Sequence, residues 1–206
     1  MRDDSAAHFI AGQQIDILVN LNGYFGLPRN GVFAHKPAPI QVNYLGFPAT
    51  IGAPYIDYLI ADKRVLPESD APFFDEKIVY LPDCYQANDD KRAIGIVPTR
   101  ESCGLPEDAV VFASFNNSYK YTPALFDVWM RILNKVPGSV LWLLESNRGM
   151  AANLRREAQS RGVTPERLVF APSIATEDHL ARQSLANIFL DALPYNAHTT
   201  ASDALW

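Results

Sequence analysis

From Ala109 to the end of the chain, short apolar segments alternate with segments of helical period, and this alternation constrains the fold more than any other feature. Residues 109–115 are compact, apolar and β-branched, the pattern of a strand buried on both faces. Thr122-Pro123 then supplies an N-cap hydroxyl and a proline at the first helical position. Leu125, Val128, Trp129, Ile132, Leu133 and Val136 follow at helical spacing until Pro137-Gly138. Residues 139–144 read as a second strand, 149–161 as a polar, arginine-rich helix closed by Gly162, and 167–170 as a third strand. Thr176 is the expected N-cap of another helix, 187–190 a fourth strand, and a last helix begins near Thr200. Such an order requires parallel strands joined by right-handed crossovers, a doubly wound, Rossmann-like α/β unit. It carries no G-x-G-x-x-G fingerprint.

The first half repeats the theme less regularly. Strands are expected over 15–19, 40–44, 57–61 and 77–81, with a short helix over 30–35 that Pro37-Ala38-Pro39 must end. Residues 82–106 collect Asp, Asn, Lys, Arg and Gly and make the best linker. The expected division is a first lobe over 1–100 and a second over 101–206. Trp129 and Trp142 belong to the core by pattern, and Asp89-Asp90 to solvent.

Charge and composition exclude several functions. Lys and Arg number 18 against 23 Asp and Glu, a net charge of −5 with no basic block, so binding to a nucleic-acid backbone is not expected. Cys84 and Cys103 make no disulfide framework, which suits a reducing compartment. The start of the chain has no apolar secretory core, and runs such as 140–144 are far too short to span a membrane, so a cytoplasmic protein is expected. His8, His35, His179 and His198 are scattered, there is no C-x-x-C or H-E-x-x-H, and no metal site is expected. A G-x-S-x-G elbow is also missing.

What remains is polar chemistry where strands end, the place where open α/β sheets bind ligands. Asn116-Asn117-Ser118-Tyr119-Lys120 follows the 109–115 strand. His198-Thr199-Thr200-Ala201-Ser202-Asp203 follows the 187–190 strand and opens a helix whose free amides attract anions. Lys120 could balance phosphate charge and Asp203 could bond ribose hydroxyls, which together would make a nucleoside-diphosphate site. The residues alone allow a plainer reading equally well, with a threonine N-cap and a solvated lysine.

Several strings together resemble the catalytic region of the O-linked N-acetylglucosamine transferases, in particular their bacterial, SPINDLY-like members. They are Asn20-Leu21-Asn22-Gly23-Tyr24, Arg29-Asn30, Pro37-Ala38-Pro39-Ile40-Gln41, Leu45-Gly46-Phe47-Pro48, Phe115 to Lys120, Pro137 to Leu144, and His198-Thr199-Thr200 with Asp203. They occur in order over nearly the whole chain. The resemblance implies a GT-B architecture of two Rossmann-like lobes with parallel sheets, both incomplete here, and metal-independent, inverting transfer of N-acetylglucosamine from UDP-N-acetylglucosamine to Ser or Thr of proteins. A UDP-sugar is then the co-substrate and no cofactor is required. By the family's pattern Lys120 is the catalytic residue, neutralising the departing diphosphate. Asn117, His198, Thr199 and Thr200 match pyrophosphate contacts, Asp203 the ribose, His179 and Arg182 the ribose and base, and Tyr24, Leu45 and Gly46 the wall facing the sugar. Asn117 stands where animal members have glutamine, and Thr176 where they have a ribose-contacting lysine. The family's candidate catalytic histidine and substrate-recruiting repeats are expected upstream of Met1 and the rest of the second lobe beyond Trp206, so this chain alone is expected to transfer no sugar. The alternatives are GDP-fucose-dependent protein fucosylation and a non-catalytic nucleotide-sugar-binding remnant.

Overall fold

A computed structural model describes all 206 residues. The chain forms two compact units, Met1–Asn88 and Asp89–Trp206, divided inside the 82–106 segment that sequence marks as a linker.

The first unit holds α1 (Asp3–Gly12), β1 (Ile17–Asn20), α2 (Asn30–Ala34), β2 (Ile40–Asn43), β3 (Tyr58–Ala61) and β4 (Lys77–Tyr80). Its four strands are parallel and lie in chain order. No periodicity announced α1, because Ala7 is its one buried residue and a face made of alanines is nearly silent in a hydrophobic pattern. Ala7, Val32, Phe33, Ile51 and Ile56 form a core beside the sheet. Gln41 is fully buried in β2, where its amide nitrogen donates to the carbonyls of Phe33 (2.9 Å) and Tyr55 (2.7 Å). Buried Glu76 accepts from the Thr50 hydroxyl and the Ile51 amide, both at 2.7 Å. These bonds satisfy loop groups that burial would otherwise leave unpaired.

The second unit holds β5 (Val111–Ser114), α3 (Pro123–Lys135), β6 (Val140–Leu144), α4 (Met150–Ser160), β7 (Leu168–Ala171), α5 (Thr176–Gln183), β8 (Ile188–Phe189) and α6 (Thr199–Leu205). The strands are all parallel, in the order β7-β6-β5-β8. Two cores flank the sheet, as expected of strands apolar on both faces. Trp129, Met130 and Leu133 of α3 pack with Phe112, Leu141 and Leu143 on one side; Val111, Ala113, Phe115 and Trp142 face the other. Thr122 caps α3 as expected, its Oγ1 accepting from the Leu125 amide at 3.2 Å. Thr176 does not cap α5: it is the first helical residue, Ala175 holds the cap position in extended conformation, and no side chain bonds there. Glu177 and Asp178 in the first turn supply favourable charge to that helix start instead. No helix is long and apolar enough to cross a membrane.

Candidate functional site

In the second sheet β6 and β7 lie to one side of β5 and β8 lies to the other. The chain therefore winds away from β5 in both directions, which puts the switch point, where open α/β sheets bind ligands, at the carboxyl ends of β5 and β8. The two segments singled out in the sequence are the loops that leave these strands.

The β5 loop turns through a short 3-10 helix, Ser118–Lys120, capped by the Asn117 side chain, which accepts from the Tyr119 amide at 3.5 Å. That turn brings Lys120 back toward the strand end. Its ammonium donates to the Asn196 carbonyl in the β8 loop (2.9 Å), approaches the Asn116 Oδ1 (3.4 Å), and lies 4.5 Å from the centre of the Tyr195 ring. The β8 loop is held in turn by Asp191, which accepts from the Ala192 and Ala197 amides and from the Asn196 side chain. Burial pushes the Lys120 ammonium below its ordinary pKa, opposed by the Asp191 carboxylate. His198 stands beside Tyr195, with ring centroids 5.6 Å apart. Burial and then the Lys120 charge lower its pKa, again against Asp191. Thr200, in the first turn of α6, donates its hydroxyl to the Asn116 Oδ1 at 2.9 Å, so the two loops meet on one buried amide.

A cavity of about 200 Å³ opens beside this junction, lined by Phe115, Leu144, Ser173, Ile174, Thr176, His179, Arg182, Thr200 and Asp203. Arg182 is 3% exposed and lies over the Phe115 ring, 5.0 Å from its centroid. One guanidinium nitrogen donates to the Pro172 carbonyl (2.8 Å); the others reach His179 Nδ1 at 2.7 and 3.1 Å. Because guanidinium only donates, His179 Nδ1 is an acceptor and the imidazole proton sits on Nε2, which requires the Gln183 side-chain amide, 3.1 Å away, to present its carbonyl oxygen there. Burial, reinforced by the Arg182 charge, lowers the pKa of that imidazole below its usual value, while Asp203 opposes the shift. Asp203 itself is paired with Arg92, whose guanidinium lies 4.6 Å from the Trp206 ring centroid.

Lys120, His198, Thr200, His179, Arg182 and Asp203 thus occupy one edge of one sheet, with Asn117 and Thr199 exposed on the same loops. Two participants were given no role by the sequence. Arg92 lies in the polar linker, where nothing in the pattern distinguishes it from a solvated charge. Asn116 did carry a mark, as an amide directly after a wholly apolar strand. A larger cavity of about 420 Å³, against Trp142, Phe170 and Cys103, contains only Arg182 of the expected site residues. No three His, Cys, Asp or Glu side chains converge as a metal site would require.

The first unit gathers its own three residues at the carboxyl ends of β1 and β2. The Gly46 amide donates to the Leu21 carbonyl at 3.0 Å, and a β-carbon on Gly46 would stand 2.2 Å from that oxygen. Leu45 takes a left-handed φ of 74° to make the approach. Tyr24 packs edge-on to Phe47, centroids 5.6 Å apart, and donates its hydroxyl to the Ile51 carbonyl at 2.8 Å.

Comparison with known proteins bears on these loops. The pattern of glycosyl transferase family 41 matches residues 2–95 and 89–206. A probable UDP-N-acetylglucosamine–peptide N-acetylglucosaminyltransferase SEC of Arabidopsis thaliana is 43% identical over the whole chain. The corresponding Caenorhabditis elegans transferase is 28% identical over 98% of it, and the probable SPINDLY transferase of Petunia hybrida 33% over 99%. The chain spans only 22% of the Arabidopsis and Petunia proteins and 27% of the nematode one. Among solved structures, a mutant O-GlcNAc transferase of Thermobaculum terrenum superposes with a TM-score of 0.87 at 31% identity, covering 100% of this chain and 39% of that one. The α/β architecture of two parallel sheets is therefore that of a GT-B transferase.

Proposed function

Since the chain belongs to glycosyl transferase family 41, we propose that it forms part of a catalytic region that transfers N-acetylglucosamine from UDP-N-acetylglucosamine to Ser or Thr hydroxyls of cytoplasmic proteins. The observation that carries this reading is the junction at the switch point, where Lys120 and Thr200 meet on Asn116 beside a cavity holding His179, Arg182 and Asp203.

In that reaction the acceptor oxygen bonds to the sugar's anomeric carbon from the face opposite the leaving group, and the bond to the diphosphate breaks with its electron pair going to UDP. Negative charge on the diphosphate grows as the bond lengthens, so a fixed cation beside it helps most at the transition state. Lys120 is assigned that role, which requires no metal. Asn117, His198, Thr199 and Thr200 are assigned to the pyrophosphate, Thr200 through its backbone amide at the start of α6 because its hydroxyl proton is taken by Asn116. Asp203 is assigned to the ribose, and His179 with Arg182 to the ribose and base. A neutral, tightly held imidazole such as His179 suits recognition of an uncharged sugar or base. Tyr24, Leu45 and Gly46 are assigned to recognition of the transferred sugar by the first unit.

The names of the relatives favour UDP-N-acetylglucosamine over GDP-fucose as donor. Transfer of radiolabelled N-acetylglucosamine to peptides by the full-length protein, with a Lys120→Ala control, tests the reaction. Competition by UDP but not GDP tests the donor; displacement by GDP alone would sink the assignment.

A further inference from the structure

We infer that Asn116 is a positioning residue of the diphosphate site, one that holds the Lys120 ammonium in place and turns the Thr200 hydroxyl so that it accepts, rather than donates, toward the nucleotide. The inference rests on the nucleotide reading of the site and adds a residue and a polarity to it.

Asn116 is fully buried and pinned on several sides. Its amide nitrogen faces the Ser114 hydroxyl at 3.4 Å, and its backbone carbonyl accepts from the Tyr121 hydroxyl at 2.7 Å. An ammonium can only donate, so the Asn116 atom that Lys120 approaches at 3.4 Å must be the carbonyl oxygen. The Thr200 oxygen lies 2.9 Å from the same atom. A carbonyl oxygen brings no hydrogen, so the hydroxyl proton of Thr200 is committed to Asn116 and its lone pairs face outward. An ionised diphosphate has no proton to offer such a group. Thr200 in this state suits a ligand hydroxyl or N–H, and phosphate charge falls to Lys120. Lys120 gives a second hydrogen to the Asn196 carbonyl, which leaves one N–H for the ligand and fixes its direction.

The test is nucleotide affinity in the full-length protein, comparing UDP with uridine, which lacks the phosphates. Asn116→Ala is expected to weaken UDP about tenfold, the scale of one charge-assisted hydrogen bond, and to leave uridine unchanged. In a Lys120→Ala background the same substitution should have little further effect, because its target is gone. Asn116→Asp guards against misfolding: it keeps the shape and both acceptor contacts, yet its charge beside the phosphates should weaken UDP more than uridine. Thr200→Val should cost UDP less than Lys120→Ala does. Equal losses of UDP and uridine, or effects of Asn116 and Lys120 that simply multiply, would make Asn116 structural and overturn the inference. A Thr200→Val loss exceeding that of Lys120→Ala would overturn the hydroxyl polarity. Wild-type protein that binds no UDP would overturn the nucleotide reading itself, whereas UDP binding indifferent to both Asn116 variants would overturn only this inference.

Discussion

Lys120 is half-buried against an aromatic ring and a carbonyl, with Asp191 as the nearby charge that opposes the lowering of its pKa by burial. Two outcomes are expected of the proposed transferase, measured in the full-length protein. Lys120→Ala should lower kcat by about 10²–10³, by analogy with loss of a single oxyanion donor, and kcat/KM should fall with it. A normal kcat with only a raised KM would assign Lys120 to ground-state binding. Activity that needs the protonated ammonium is lost as pH rises through its pKa, which burial has already brought below the ordinary lysine value. Asp191→Asn removes the charge opposing that shift, so the alkaline limb of the pH–rate profile should move to lower pH; an unmoved limb would show that another group controls it. The sequence announced Lys120 and Thr200 by their places after strands, but not that they share Asn116. Hydrogen bonds between residues 84 positions apart leave no local pattern.

The clamp between the β1 and β2 loops decides where Tyr24, Leu45 and Gly46 sit. A side chain at Gly46 would collide with backbone rather than with a flexible tip, and Leu45 already bears a left-handed conformation. Gly46→Ala should therefore destabilise the first unit by about 1–3 kcal/mol, the range of one strained backbone site, measurable by denaturant unfolding followed through its tyrosines. A change below about 0.5 kcal/mol would mean that the loops separate freely. Periodicity and punctuation placed all eight strands within a few residues, because each is a short apolar run between turn signals, whether buried on both faces as β5 or partly exposed as β1, β4 and β8. They failed for α1, whose small apolar face says little, and for the start of α5, where a threonine in a capping context lies one residue inside the helix.

Each unit carries its own hydrophobic clusters, so the two are expected to be separable in stability. Leu141 is fully buried in the second unit, and Leu141→Ala should cost about 2–5 kcal/mol there. Amide exchange should then quicken across β5–β8 and stay unchanged across β1–β4; equal acceleration in both would show a single cooperative fold. The alternation of apolar runs and helical periods determined by itself that this chain forms parallel α/β sheets, since buried strands and amphipathic helices leave few other ways to cover their apolar faces. Its strings also carried the family. Only the tertiary structure decided the strand order, and with it the switch point at the carboxyl ends of β5 and β8 where Lys120 and Thr200 meet beside the cavity. It alone decided that Asp203 pairs with Arg92, that His179 is neutral with its proton on Nε2, and that one buried amide joins Lys120 to Thr200. The physical reason is range: hydrophobic periodicity is written between near neighbours in the chain, whereas charge pairing, desolvation and proton placement depend on atoms that the fold brings together from far apart.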